Sequence, residues 1–140
     1  MASKQQFTGM RGVYLVAAEL AKLGFIASPT SRSALGADIL VTSQSCARAF
    51  SVQVKTNAST FGFWLVGAKG KELVAKSHLY VFVNLRNPKK GAVTEFFVVP
   101  SSVVAKKLRY STGPASKWYS FYLDDAKPYQ DKWTFFGSPI

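Results

Sequence analysis

The chain has 140 residues, of which 48% are hydrophobic and 18% charged, so it is long and apolar enough to bury a core as one domain. Its 18 Lys and Arg against 7 Asp and Glu give a net charge of +11, which favours a polyanion or an anionic membrane surface as partner. Because the basic residues are scattered, a nucleic-acid-binding face is favoured over a basic tail, and a merely solubilising charge is the alternative.

The single cysteine excludes an internal disulfide, and no apolar run is long enough to cross a bilayer. The N-terminal stretch "MASKQQFTGMRG" also lacks the apolar centre of a signal peptide. The sequence therefore predicts a cytoplasmic protein that is not embedded in a membrane.

A helix is predicted over residues 9–23, with Thr8 as its N-cap and Gly24 as its stop. A short apolar strand follows at residues 25–27, and a loop rich in Ser, Pro and Gly then leads to Asp38. The chain therefore opens as a helix, a strand and a loop.

The rest of the sequence alternates apolar and polar residues in short runs typical of strands. Strands are predicted at residues 38–41, 49–56, 61–66, 79–85, 95–99 and 117–123. Ser101 and Ser102 are expected to cap a second helix that ends near residue 108. Together these elements predict a single α/β domain over residues 1–140, in which a leading helix precedes a mixed β-sheet with a second helix.

Three polar residues in the predicted sheet are candidates for chemistry. Gln53 and Lys55 lie on one side of their strand because strand side chains repeat every two residues. If this strand pairs with residues 38–41, Asp38 can approach both side chains, and the three could bind a hard metal ion and a phosphate. The alternative is an ordinary solvated strand face with Asp38 closing a turn.

Other chemistry has little support in this sequence. With one histidine and one cysteine, zinc sites and Cys/His nucleophile arrangements are disfavoured. His78, which opens a predicted strand, is expected to be a structural histidine. The stretch "GAKGKE" lacks the spacing of a phosphate-binding P-loop.

The leading helix, the Ser-rich loop, "GADILV" and "FSVQVKT" together resemble the PD-(D/E)XK nuclease superfamily. The resemblance is to its restriction-endonuclease-like and Holliday-junction-resolvase-like members, with a degenerate third motif, "QVK". It implies a restriction-endonuclease-like core and metal-dependent endonuclease activity on DNA. It extends more loosely through "LYVFVNL" and "EFFVVPSSVVAKKL".

By this resemblance, Asp38, Gln53 and Lys55 are the catalytic residues. Mg²⁺, or Mn²⁺, would be held by Asp38, the backbone carbonyl of Val54 and the side-chain oxygen of Gln53. Lys55 would position the attacking water and offset charge that develops on the phosphate. The resemblance also makes a homodimer plausible, because relatives that cut duplexes often pair two sites.

The sequence departs from this family in the leading helix, where relatives often carry a glutamate directed at the metal. Val13 occupies that position here. Glu19 lies on a different part of the helix and is expected to pair with Lys22. Glu95, at the start of a strand, is an outside candidate for a further metal ligand.

Four basic residues are candidate nucleic-acid contacts: Arg32, Arg11, Lys69 and Lys71. Arg32 is the best of them, because its loop precedes Asp38. The aromatic residues after residue 117 could stack bases, but completion of a core or a subunit contact is the expected role.

Two functions from different classes remain open at this point. The first is a metal-dependent endonuclease, and the second is a nuclease-derived module, or a subunit of a larger complex, that binds nucleic acid without cutting it. Val13 and Gln53 favour the second.

Overall fold

The computed structural model describes residues 1–31, 36–59, 62–86, 91, 93–113 and 117–140. The first element is α1, Lys4–Lys22, which begins five residues before the predicted start at residue 9. Its N-cap is Ser3, whose hydroxyl accepts from the Gln6 backbone N–H while the Gln6 side chain accepts from the Ser3 N–H. This capping box satisfies free helix donors well before Thr8, so Thr8 lies inside the helix.

Five strands form the central sheet, in the order β1-β2-β3-β5-β6. They are β1 (Ile26–Pro29), β2 (Ile39–Thr42), β3 (Ala49–Asn57), β5 (His78–Asn84) and β6 (Glu95–Pro100). Only β3 and β5 pair in parallel, and the other neighbours are antiparallel. The sheet is therefore mixed, as predicted.

A second sheet of three antiparallel strands has the order β4-β8-β7. Its strands are β4 (Phe63–Leu65), β7 (Arg109–Thr112) and β8 (Lys117–Tyr122). The sequence did not predict β7, whose residues are all exposed. An exposed strand buries no apolar face, so it lacks the alternation by which a strand is recognised.

Two hydrophobic cores lie on opposite faces of the central sheet. On one face, Val16 and Leu20 of α1 pack with Val52 and Val54 of β3. On the other face, Trp64 of the second sheet packs with residues of β5 and β6, and its indole N–H donates to the Val83 carbonyl. Because both faces are covered, every residue of β5 is buried.

The second predicted helix is α2, Ser101–Lys107, but its serine does not cap it. The buried Ser101 hydroxyl instead donates to the Ala75 carbonyl at 2.9 Å and accepts from the Ala75 N–H at 3.1 Å. These bonds fix the segment before β5 against α2. A third short helix, α3 (Leu123–Ala126), was not predicted.

The C-terminal aromatic residues complete the fold more than they line its surface. Phe136 is fully buried in the first core, against Phe25 and Phe50. Trp133 packs on Phe96, whereas Phe135 is exposed. Among the described helices, none has the length and apolarity that a membrane span requires.

Candidate functional site

Asp38 is held at the entrance to β2 by backbone and side-chain hydrogen bonds. Its N–H donates to the Val52 carbonyl at 2.7 Å, and its carbonyl accepts from the Thr30 N–H at 2.9 Å. One carboxylate oxygen, Oδ2, accepts from Gln53 Nε2 at 2.9 Å and from the Val54 N–H at 2.8 Å. The acid is therefore fixed against the two residues of β3 that follow Val52.

The Val54 carbonyl faces the side of β3 where Asp38 lies. The Ser51 N–H donates to the Ser77 carbonyl, so alternate residues from Ser51 onward direct their backbone groups towards β5. Val54 belongs to the other set, and its N–H indeed bonds Asp38. Because the N–H and C=O of a strand residue point to the same side, the Val54 C=O also points to the Asp38 side.

The orientation of the Gln53 amide follows from its partner. An ionised carboxylate only accepts hydrogen bonds, so the atom that faces Asp38 Oδ2 is the amide nitrogen. The amide oxygen, Oε1, is then left for another partner. Among the hydrogen bonds found within the described residues, none goes to this oxygen or to Asp38 Oδ1.

Gln53 lies between two adjoining clefts. The larger, of about 890 Å³, is lined by Asp38, Gln53, Val54 and by residues of α1 that include Val13. The smaller, of about 260 Å³, is lined by Gln53, Lys55 and a short 3-10 helix, Ala68–Lys71. The amide of Gln53 therefore connects the carboxylate side of the site to the ammonium side.

Lys55 lines the smaller cleft and is partly buried. Burial lowers the pKa of its ammonium below the usual 10.5, and the Asp38 carboxylate partly opposes this. Tyr80 of β5 lines the same cleft, and burial raises the pKa of its hydroxyl. The cleft is thus lined by a cation that burial partly removes from water.

The basic residues predicted to bind nucleic acid occupy different places. Lys69 lines the smaller cleft with Lys55, and its Nζ lies 3.2 Å from Glu72 Oε2. Lys71 is directed to α2, where its Nζ donates to the Ala105 carbonyl at 3.0 Å.

Arg11 does not line either cleft. Arg11 is exposed on α1, and two residues correspond to about 200° around a helix, so it lies on the far side from Val13. Arg32 lies outside the described residues.

Glu95, the outside candidate for a metal ligand, and Glu19 both pair with basic residues. Glu95 begins β6, two strands away from β3, and accepts from Arg86 Nη2 at 2.7 Å. Glu19 pairs with Lys22 at 3.6 Å, as predicted. Asp38 is therefore the only carboxylate among the described residues that line the two clefts.

The oxygen atoms available here suit a hard divalent cation. They are Asp38 Oδ1, the Val54 carbonyl oxygen and Gln53 Oε1. Mg²⁺ prefers oxygen ligands and is commonly held by one or two carboxylates, with water and substrate phosphate completing its coordination. By donor type these residues fit Mg²⁺ or Mn²⁺, although the described residues contain no group of three or more His, Cys, Asp and Glu that could hold a metal.

His78 has a structural environment, as expected. It is buried, and its Nδ1 lies 2.7 Å from the Ser51 hydroxyl. Burial lowers the pKa of its imidazole, and a hydrogen bond with Ser51 partly opposes this. Within the described part of the chain, its Nε2 is buried without a hydrogen-bond partner.

Sequence reasoning missed an apolar wall of the larger cleft. Phe7, Met10 and Tyr14 line it, and all three are exposed. Their i, i+3, i+7 spacing is a helical signal, but it begins before the predicted start of the helix. The Ser3–Gln6 capping box would have extended the helix and revealed this face.

The chain resembles known proteins in structure but not in sequence. No protein-family model and no curated protein matches the sequence. One similar structure is Hjc, a Holliday junction resolvase from the hyperthermophile Archaeoglobus fulgidus, at 14% identity and a TM-score of 0.56 over 86% of this chain and 88% of the resolvase. A bacterial homing endonuclease matches at 15% identity and a TM-score of 0.58 over 95% of this chain and 90% of its own. A helix followed by a mixed sheet and a second helix is thus, in this chain, the restriction-endonuclease-like nuclease fold.

Proposed function

We propose that this protein is a Mg²⁺- or Mn²⁺-dependent endonuclease that hydrolyses phosphodiester bonds in DNA. The observation that carries the proposal is the meeting of Asp38 with Gln53 and the Val54 backbone at the edge of β3. In an ordinary solvated strand face, an acid at the preceding turn has no need to bond both. Lys55 in the adjoining cleft completes the set.

Each of these residues has a distinct task in the proposed reaction. Asp38, the Val54 carbonyl and Gln53 Oε1 would hold the metal, which supplies a Lewis acid that polarises the phosphate. Lys55 places its positive charge beside the phosphate and orients the attacking water. The water oxygen bonds to phosphorus and gives up a proton to solvent as the bond to the leaving sugar oxygen breaks, and that oxygen takes up a proton from solvent to leave as a hydroxyl group.

DNA is the proposed substrate for reasons of charge and of fold. The net charge of +11 attracts a polyanion. Two proteins with this fold are a Holliday junction resolvase and a homing endonuclease, which supports DNA as the polyanion. A homodimer and a cytoplasmic location stay predictions from the sequence.

Cleavage assays on supercoiled, linear, single-stranded and branched DNA test the proposal. We expect cutting only with Mg²⁺ or Mn²⁺, and a loss of at least about 100-fold in Asp38→Asn and in Lys55→Met. Asparagine keeps an acceptor for the Val54 N–H, so this variant tests the charge of Asp38 with little effect on folding. Cleavage that survives both substitutions would place the active site elsewhere.

The second candidate function is a module that binds nucleic acid without cutting it. It is favoured by Val13, an apolar residue in the larger cleft where the resemblance places an acid. A site with one carboxylate binds a metal ion more weakly than a site with two. Binding of DNA with no cleavage under any metal would establish this function instead.

Val13→Glu tests whether the helix position reaches the metal. Because Val13 lines the cleft with Asp38, we expect the added carboxylate to tighten Mn²⁺ binding about tenfold, measured by calorimetry. Val13→Gln is the control. Glutamine has nearly the shape of glutamate without its charge, so this variant should change the Mn²⁺ affinity little. Equal affinities in the two variants would show that this residue does not face the ion.

A further inference from the structure

The larger cleft has two chemically different walls. One carries Asp38, Gln53 and Val54. The other is formed by Phe7, Met10 and Tyr14 of α1, which are 57%, 48% and 59% exposed. Single exposed apolar residues are common on proteins, but several that line one cleft form a patch that indicates a binding surface.

The three side chains share one face of α1 and do not belong to the core. At about 100° per residue, they lie within about 60° of one another. Tyr14 and Val16, a core residue, are two positions apart and so point to different sides of the helix. The apolar wall is thus not required to hold α1 on the sheet.

We infer that this wall stacks an unpaired nucleobase beside the phosphate that Asp38 and Lys55 would act on. The inference rests on the proposed function, and it names the substrate as DNA with an unpaired or displaced nucleotide at the cleavage point. A base inside a duplex has both faces covered by its neighbours, so an aromatic wall can stack only on a base that has left the duplex stack. Aromatic side chains bind such bases without sequence preference.

Dimensions and charge agree with a nucleotide as the occupant. Phe7 and Tyr14 are about 10 Å apart along the helix axis, so the wall is long enough to cover the face of one base. The net charge of +11 attracts the phosphates on either side of the base. An apolar wall next to the polar edge of β3 matches a nucleotide, which has an apolar base face and an anionic phosphate.

Binding experiments in Ca²⁺ with the Asp38→Asn variant test this inference without any cutting. The probes are a perfect duplex and the same duplex with one unpaired 2-aminopurine. We expect tighter binding of the second and quenching of its fluorescence by stacking. Tyr14→Leu should weaken binding of the unpaired probe about tenfold and leave the perfect duplex unchanged.

Matched variants separate stacking from other effects. Tyr14→Phe keeps the ring and should behave as the parent, whereas Tyr110→Leu removes an exposed ring in β7 and should change nothing. Equal weakening on both probes, or no quenching, would overturn the inference. So would a change of oligomeric state in Tyr14→Leu by sedimentation, because the wall would then be covered by a second copy.

The binding experiment and the cleavage assays can fail separately. If the unmodified protein stacks the unpaired base but cleaves no DNA, the endonuclease proposal is wrong and the base-binding role of the wall stands. If cleavage is equally fast on paired and unpaired sites, and Tyr14→Leu is as active as the parent, the base-binding role of the wall is wrong and the endonuclease proposal stands.

Discussion

Lys55 projects from β3 into the smaller cleft, where burial lowers the pKa of its ammonium and Asp38 partly restores it. A poorly hydrated cation is costly for the folded state unless it is paired well. The same poor hydration strengthens its attraction for a phosphate. Stability and the proposed chemistry therefore make opposite demands on this residue.

We expect Lys55→Met to raise the free energy of unfolding by about 1 kcal/mol at neutral pH while abolishing activity. The unfolded chain holds the Lys55 proton more tightly than the folded chain, so the native protein gains stability as pH rises from the lowered pKa to 10.5. The difference in the free energy of unfolding between Lys55→Met and the parent should therefore shrink over that pH range, as measured by urea denaturation.

Lys76→Met, at an exposed lysine in the turn before β5, is the control. Because this side chain is exposed in the folded protein, its replacement should leave the free energy of unfolding almost unchanged at neutral pH. An advantage of Lys55→Met that stays constant up to pH 10.5 would contradict the assigned burial of the charge.

At the scale of elements, the approach of α1 to β3 is set by a glycine. A Cβ built on Gly12 would lie 1.8 Å from Thr56 Oγ1 and 2.8 Å from Thr56 Cβ. Rotation of the threonine cannot relieve the second contact, because Cβ does not move with χ1. Close packing at this point places Val13, the next residue, in the cleft that Asp38 also lines.

Two glycine-to-alanine variants in the same helix should have opposite effects. Gly12→Ala forces α1 away from β3 and should destabilise the protein by about 1–3 kcal/mol. Gly9→Ala has nothing within 4 Å of the added Cβ and should stabilise it by about 0.5–1 kcal/mol. Thermal denaturation of both measures the contrast, and a neutral Gly12→Ala would show that the helix is not held so closely.

At the scale of the whole molecule, the net charge of +11 would attract the proposed DNA substrate, and the fold determines which lysines could take part. Lys69 and Lys71 are two residues apart in one short 3-10 helix. Lys69 lines the cleft of Lys55, whereas Lys71 donates to the Ala105 carbonyl.

These two lysines form a matched pair for a salt-dependence experiment. If Lys69 contacts a phosphate, Lys69→Gln should make the slope of log K against log[salt] shallower by about 0.9 on duplex DNA. Lys71→Gln should leave the slope unchanged, because its ammonium is directed to α2 and does not line the smaller cleft. The reverse result would move the DNA path from the smaller cleft to the surface around α2.

The amino-acid sequence determined the features that local patterns express. Alternation fixed β3 and the common side of Gln53 and Lys55, and the resemblance of "GADILV" and "FSVQVKT" indicated the nuclease fold that the structure has. Local patterns suffice here because side-chain direction in a strand depends only on the strand period.

Only the tertiary structure decided which groups meet. The bonds from Gln53 and Val54 to Asp38 join residues that are 15 and 16 positions apart, and they depend on where β2 begins relative to β3. The wall of Phe7 and Tyr14 faces these groups only because Gly12 lets α1 approach the sheet. Such contacts depend on packing between elements distant in sequence, which local alternation and helical period do not encode.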